Sequence, residues 1–373
     1  MADNISKSNK LYSVEFIRFI FSVVIVYFHI LHGYIRPYAG GVPIFENLAA
    51  KSTYAGAPVE CFFIISGYFL FKSFQRRPDM QVKEFAYNKF ARLWPVVAVY
   101  FVIGLAFFNF NRVDCFYHLL FLQAAGVTTH VTGVPWYVSP LFWTMIFMFV
   151  LYKNVKDKNK FNLALGIMVY FSYVIVINDS STLFYRDNVF GIFSLSVLRA
   201  VAGCGLGYLI AACEESVRNL DYIKNFNPNK FVKAFIFIAV SAVEIITFYL
   251  MMRHFLDSEN SVDQAFYLVL IFVIFFVCLI SRKGIFTLLF NNKLFGFAGK
   301  YSYSVYMMQM IAIYTLQKVF WNHTDYVHNH FMRTLVISIA ASVALGIVTY
   351  YVVEKPSYLL LNKFGKKLFE KKN

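Results

Sequence analysis

Long apolar stretches recur along the chain from Val14 to Tyr351, and they constrain the fold more than any other feature. A helix needs about 20 mostly apolar residues to cross the hydrocarbon layer, and the stretches approach that length. Of the 373 residues, 59% are hydrophobic and 15% are charged, whereas a soluble domain carries about 25% charged residues. The sequence therefore predicts an all-α polytopic membrane bundle. It argues against a water-soluble enzyme, a disordered chain or a small disulfide-stapled domain.

Ten of these stretches are predicted to span the membrane as helices: 12–31, 57–74, 92–109, 138–152, 162–177, 192–213, 232–250, 264–281, 301–320 and 333–352. The stretch 116–125 is too short to cross and is predicted to be an interfacial or half-inserted helix. We expect one membrane domain over 1–373, with its core at 12–356 and a basic cytoplasmic tail at 357–373.

The positions of Lys and Arg predict the orientation of the bundle. With ten spans and an internal N-terminus, the segments assigned to the inside hold 26 of the 35 Lys and Arg, and those outside hold six. This is the positive-inside bias of multi-pass proteins. Both termini are therefore expected in the cytoplasm and the chain in the inner or plasma membrane. The same bias explains the net charge of +15, so no nucleic-acid partner is predicted.

Besides Glu15, the first span carries two ionisable residues, Arg18 and His29. Such residues are costly inside a membrane and are functional hypotheses by default. Their separation of 11 residues places both on one helix face, about 16 Å apart along the axis. A cation near the inner surface and an imidazole toward the outer side would result. A lone His can also serve only to bond a backbone carbonyl, and that alternative stays open.

Glu60 lies near the start of the second span, two residues after Pro58. Proline and a carboxylate both suit the first turn of a helix, which is a structural reason for Glu60. The functional hypothesis is that Glu60 bonds His29 in the outer half of the bundle and orients its imidazole. In later spans, Arg199 and Glu244 are predicted to form a structural ion pair with each other.

A basic loop follows the second span and carries Lys72, Arg76, Arg77, Lys83, Lys89 and Arg92. Part of this charge is explained by topology alone. Lys89 and Arg92, however, lie one helical turn apart at the membrane edge, and that spacing suits a phosphate-rich ligand. By contrast, neither the eight His nor the five Cys residues show metal-ligand spacing, so no metal site is expected.

Several segments together resemble the membrane acyltransferase family 3, whose members O-acylate sugars of surface polysaccharides and related molecules. The matching segments are Arg18 with His29, Phe62 to Tyr68, Lys89 to Pro95, Pro135 to Ser139, Tyr301 to Tyr306, and Tyr350 to Pro356. Each segment alone is a weak signal, whereas their order along a ten-span chain is specific. The likeness covers about residues 12–356.

The resemblance implies an acyl-CoA co-substrate, with acetyl as the expected group, and no tightly bound cofactor. The acceptor would be a hydroxyl of a surface polysaccharide, a lipopolysaccharide or another glycan, free or lipid-linked. His29 would be the general base, with Glu60 and Arg18 beside it. The donor would bind at Lys89, Arg92, Arg76 and Arg77, and the substrates at Ser66, Trp136, Tyr137 and Gln309. The lipid bilayer is a further partner, and a homodimer is left open.

The sequence departs from the family pattern in places. Lys89 replaces an Arg, which keeps the charge and loses bidentate geometry, and Gln309 stands where many members carry a His. The soluble hydrolase-like domain of some larger members is not in this sequence, so its transfer step is expected to be missing or supplied by another protein. Two other functions stay open, because intramembrane Glu, Arg and His also suit a proton-coupled transporter or flippase, and a non-catalytic partner in glycan assembly.

Overall fold

A computed structural model describes residues 10–123, 133–180, 188–189, 193–257, 262–320 and 323–370. Most of this part of the chain is helical. Backbone groups in a bilayer must be satisfied within the segment that carries them, and apolar helices meet that requirement. The predicted helical membrane bundle is therefore confirmed.

The first half of the chain alternates long helices with short ones. They are α1 Tyr12–His29, α2 Arg36–Ala39, α3 Pro43–Lys51, α4 Pro58–Arg76, α5 Val82–Phe107, α6 Arg112–Leu119, α7 Val138–Asn154 and α8 Lys158–Ser180. A π-helical turn, Ile30–Tyr34, extends α1, and a 3₁₀ turn, Val134–Tyr137, leads into α7. Of the stretch predicted to be interfacial, 116–119 belongs to α6 and 124–125 lies outside the described residues.

The second half begins with a pair of antiparallel two-residue strands, β1 Asn188–Val189 and β2 Phe193–Ser194. The helices that follow are α9 Leu195–Asn219, α10 Asp221–Lys224, α11 Lys230–Leu256, α12 Val262–Ser281, α13 Ile285–Phe290, α14 Lys293–Gly299, α15 Ser302–Phe320, α16 Thr324–Asn329, α17 Phe331–Thr349 and α18 Lys355–Glu370. A second π-helical turn, Tyr350–Glu354, joins α17 to α18, so the expected basic tail is largely helical.

Seven helical segments in the described part of the chain are long and apolar enough to cross a membrane: Tyr12–Gly33, Val82–Phe107, Val134–Asn154, Lys158–Asn178, Leu195–Asn219, Lys230–Leu256 and Phe331–Phe369. The remaining three predicted spans are also helices, namely α4, α12 and α15. The count of ten spans is not confirmed. In α4 and α15 polar side chains dilute the apolar signal, and some of them line the site described below.

Glycines bring the backbones of α4 and α9 into direct contact. A Cβ on Gly67 would overlap the Cys204 carbonyl, and one on Gly207 would overlap the Ile64 carbonyl. Small residues at such spacing let membrane helices pack closely without intervening side chains. Gly67 and Gly207 therefore let α4 and α9 pack backbone to backbone and form one wall of the bundle.

Candidate active site

A cavity of about 440 Å³ is lined by residues of α1, α4, α5, α7, α15 and α18, and many of these residues are cationic. We call it the basic cavity, after the side chains that line it: Arg18, Lys72, Arg76, Arg77, Lys89 and Arg92. All four residues predicted to bind the donor are among them. The structure therefore brings these residues together around one space, although Arg76 and Lys89 come from different helices.

Helix α4 forms one wall of the basic cavity along its length. Its lining residues include Phe62, Ser66, Phe69, Ser73 and Arg76, which recur at the three- and four-residue spacing of a helix face. Phe62 and Arg76 are 14 residues apart, which corresponds to about 21 Å along the axis. The cavity is thus long, with arginines at one end and aromatic rings at the other.

The cations of the basic cavity fall into two groups. One group makes ion pairs of 3.1 Å: Arg18 with Glu15, Lys72 with Glu214 and Arg77 with Glu84. The other group is Arg76, Lys89 and Arg92, for which no carboxylate of the described residues lies within ion-pair distance. Cations that line a cavity without a protein counter-ion suit an anionic ligand.

Three aromatic rings close the end of the basic cavity that lies away from the arginines. Phe62, Tyr137 and Tyr306 form this aromatic triad, and all three line the cavity. The ring centre of Phe62 lies 6.3 Å from the ring centre of Tyr137 and 6.3 Å from that of Tyr306. The ring centres of Tyr137 and Tyr306 are 5.5 Å apart. Each distance falls in the range of favourable aromatic contact.

His29 ends α1 beyond the aromatic triad. Its Nδ1 lies 3.0 Å from the carbonyl oxygen of Ile25 and donates to it, so Nε2 carries the lone pair. The carbonyl bond anticipated from the sequence is present, and it selects the tautomer that a general base needs. A π-helical turn follows directly, and such turns are frequent at functional sites.

The basic cavity stops short of His29 in the described structure. Arg18 lines it, whereas His29 does not. The ring of Phe21 lies 6.5 Å from that of Phe62, at the outer limit of the cavity. Phe21 precedes His29 by eight residues, or about 12 Å of helix. The aromatic triad therefore stands between the donor-side cavity and the predicted base.

Glu60 belongs to a separate group, built around a buried ion pair. Its Oε2 lies 3.4 Å from Nε of Arg199, and its Oε1 accepts a 2.8 Å hydrogen bond from the Tyr173 hydroxyl. The Arg199 guanidinium also stacks 5.2 Å from the centre of the Trp136 ring. Glu60 and Arg199 are 1% and 2% exposed. We call these four residues the Glu60 cluster.

The Glu60 cluster corrects two predictions. Within the described residues, one Glu60 oxygen bonds Arg199 and the other bonds Tyr173. Glu60 therefore does not orient His29. Arg199 pairs with Glu60, so the predicted Arg199–Glu244 ion pair is wrong. Glu244 instead accepts a 2.9 Å bond from the Phe286 amide. The cause is the close contact of α4 with α9, which carries Arg199 four residues before Gly203 and places Gly203 beside Glu60.

Tyr54 lies near the Glu60 cluster, in the turn before α4. Its side chain is completely buried. Burial raises the pKa of the Tyr54 phenol well above its usual value, and the nearby Glu60 adds to this while Arg199 opposes it. The phenol therefore stays protonated through the physiological pH range.

The residues predicted to contact substrate divide between the two regions. Ser66 and Tyr137 line the basic cavity. Trp136 packs against Arg199 in the Glu60 cluster. Gln309 is fully buried one turn beyond Tyr306, and its Nε2 donates a 2.7 Å bond to the Tyr306 carbonyl. Gln309 therefore bonds the backbone of one member of the aromatic triad and does not line the cavity.

A buried hydrogen bond between Ser304 and Glu354 joins the segments 301–306 and 350–356, which are far apart in the sequence. The Ser304 hydroxyl donates to Oε2 of Glu354 at 2.6 Å. Beside it, the Tyr303 hydroxyl donates 2.7 Å to the Leu93 carbonyl, and Tyr303 lines the basic cavity. Glu354 ends the π-helical turn Tyr350–Glu354. The regular spacing of a helix does not predict such a turn, so the contact with Ser304 could not be found from the sequence.

The cavity, the spans around it and the motif residues that line it define an integral membrane protein with a cation-lined internal cavity. The profile of an acyltransferase domain matches residues 11–351. The chain therefore belongs to the acyltransferase family 3, and it is a membrane acyltransferase. No curated protein and no solved structure matched in two further comparisons.

Proposed function

We propose that the protein transfers an acetyl group from acetyl-CoA to a hydroxyl of a cell-surface polysaccharide, lipopolysaccharide or other glycan. The observation that carries this proposal is the polarity of the basic cavity. Arg76, Lys89 and Arg92 have no carboxylate of the described residues within ion-pair distance, and the opposite end is aromatic. The phosphates of CoA suit the first end, and the pantetheine arm with its thioester suits the length of the cavity.

His29 is the general base in this proposal. Nε2 takes the proton of the acceptor hydroxyl, whose oxygen then attacks the thioester carbonyl. The carbon–sulfur bond breaks as the new ester forms. The CoA thiolate takes the proton from His29 and leaves as the thiol. The tautomer set by the Ile25 carbonyl supports this role for Nε2. Because the basic cavity ends at the aromatic triad, short of His29, the thioester lies against the triad in this proposal, and the acceptor hydroxyl must reach it there.

The donor is cytoplasmic and the acceptor external, so the proposal requires the predicted orientation. Single cysteines at Asn159 and His323 should label from opposite sides with an impermeant maleimide. Native Cys213 and Cys278 are replaced first, since the other native cysteines are buried in the structure. Position 323 should react in intact cells and position 159 only after permeabilisation. Labelling of both from one side would contradict the transmembrane route.

The function itself is tested with purified protein and acetyl-CoA labelled in the acetyl group. We expect binding of the donor, slow hydrolysis without acceptor, and transfer of label to a glycan fraction from the host cell envelope. His29→Ala serves as the control, because it should bind the donor and fail to transfer. Absence of both binding and transfer in the wild type would overturn the proposal and favour a transporter or a non-catalytic partner.

A further inference from the structure

The aromatic triad occupies the same relative position on three separate helical segments. Among the lining residues of α4, Phe62 is the most distant from the arginines, and the same holds for Tyr306 on α15. Tyr137 stands at the corresponding place, at the end of the 3₁₀ turn that begins the α7 segment. The triad is thus the end wall of the basic cavity rather than a part of its sides.

The end wall is held in place by hydrogen bonds and packing. The Tyr306 hydroxyl donates 2.9 Å to the Val134 carbonyl, within the turn that carries Tyr137. Gln309 bonds the backbone of Tyr306. Phe63 packs on Tyr137 at 4.7 Å between ring centres. All three triad side chains are buried. Rings fixed in this way resist displacement by a chain that pushes against them, because interiors are close-packed.

Resting on the proposed function, we propose that Phe62, Tyr137 and Tyr306 determine acyl-chain length and restrict the donor to acyl groups of a few carbons. A thioester in the basic cavity points its acyl group at this wall. Each methylene beyond the available space must displace a ring, and one methylene changes discrimination about 10- to 200-fold in a well-packed pocket.

Phe62 is the member to change, because its ring touches both other rings and it makes no hydrogen bond through its side chain. Phe62→Leu and Phe62→Ala remove successively more of the wall. Phe69→Ala is the matched control, since Phe69 lines the same cavity from the same helix, about 10 Å nearer the arginines. Tyr306→Phe keeps the ring and removes only the bond to Val134.

The measurement is kcat/KM for acetyl-, butyryl-, hexanoyl- and octanoyl-CoA with each variant. The reported value is the octanoyl-to-acetyl ratio, which is independent of the fraction of folded protein. The ratio should be low in the wild type and in Phe69→Ala. In Phe62→Ala it should rise at least about 10-fold, with a smaller rise in Phe62→Leu and in Tyr306→Phe. If kcat/KM for all four donors falls in proportion in Phe62→Ala, so that the octanoyl-to-acetyl ratio is unchanged, the result would count against the proposal.

Failure of this inference is distinct from failure of the proposed function. A wild type that transfers acetyl and has the same ratio as Phe62→Ala would overturn the role of the triad and leave the acyltransfer proposal intact. A wild type that prefers octanoyl-CoA would also overturn the role of the triad, while acyl transfer itself would stand. A wild type that neither binds nor transfers any of the four donors would overturn both.

Discussion

The basic cavity and the Glu60 cluster both contain arginines inside the bundle, but the surroundings of those arginines differ. In the cavity, Arg76 and Arg92 face an open space with no carboxylate of the described residues in ion-pair range. In the cluster, Arg199 is enclosed by Glu60, and the ring of Trp136 covers its guanidinium. An identical side chain therefore faces an open cavity in one place and forms a structural ion pair in the other.

The difference follows from how closely the helices approach. Glycines place α4 against α9, and no space remains beside Glu60 for a ligand. A buried charge is stable only with a partner and hydrogen bonds, which Arg199 and Tyr173 supply. Around the cavity, bulkier residues such as Phe69 and Tyr303 hold the helices apart. Burial of an ionisable residue in a span therefore marks function only when its surroundings leave room for something else.

Removal of Arg199 should produce the largest effect. In Arg199→Ala the Glu60 carboxylate is left buried without its cation, which costs about 3–5 kcal/mol of stability. Thermal unfolding of the purified protein in detergent measures the loss. A double variant, Glu60→Leu with Arg199→Met, should regain most of it, since an apolar pair carries no unpaired charge. Equal stability of Arg199→Ala and the wild type would break the distinction between the two regions.

His29→Ala should lower the transfer rate by about 10² to 10⁴, the usual contribution of a general base. Affinity for acetyl-CoA should not change, because His29 does not line the basic cavity. The rate is measured by transfer of labelled acetyl and the affinity by calorimetry. His32→Ala is the control, since His32 lies three residues away and bonds Ser52. Near-normal transfer by His29→Ala would exclude His29 as the base.

Arg92→Ala should lower the affinity for acetyl-CoA about 10- to 100-fold, because a hydrogen bond to a charged group contributes about 1.5–3 kcal/mol. The melting temperature should stay near the wild-type value, since no carboxylate of the described residues is paired with Arg92. Calorimetric titration and thermal unfolding, made on the same sample, separate the two effects. A large loss of stability with unchanged affinity would assign Arg92 to the structural group.

Lys89→Arg should have the smallest effect. The guanidinium keeps the charge and adds a planar pair of donors, so acetyl-CoA affinity should be retained or rise slightly. The same titration measures it, with Lys89→Gln as a variant of comparable size and no charge. Lys89→Gln should bind more weakly than both. If all three side chains bind equally, Lys89 takes no part in phosphate recognition.

The sequence predicted the parts of this architecture that depend on local pattern. Long apolar runs indicated helices, because no other regular structure satisfies the backbone of a single segment in lipid. The spacing of Lys89 and Arg92 and the basic end of α4 indicated a phosphate-rich ligand, and the structure places these residues around one cavity. These inferences needed only the distances along a helix.

The pairing of Glu60 could not be predicted in the same way. Its partner depends on which helix contacts α4, and that contact is decided by glycines on α9. Glu60 and Arg199 are 139 residues apart, and nothing in the spacing of either distinguishes Arg199 from His29 as a neighbour. The aromatic triad was hidden for a similar reason. The position of Tyr137 follows from the 3₁₀ turn Val134–Tyr137, which brings a loop residue to the end of the cavity.

The separation of Glu60 from its partners also matters while the chain is being made. Tyr173 follows Glu60 by 113 residues and Arg199 follows it by 139. At a synthesis rate of about 5–20 residues per second, α4 leaves the ribosome roughly 7–28 s before Arg199 does. During that interval the Glu60 carboxyl has neither of its final partners. Helix α4 can complete this ion pair only after α9 has been made. The distance along the chain between the two charges therefore sets the earliest time at which this part of the bundle can take its final form.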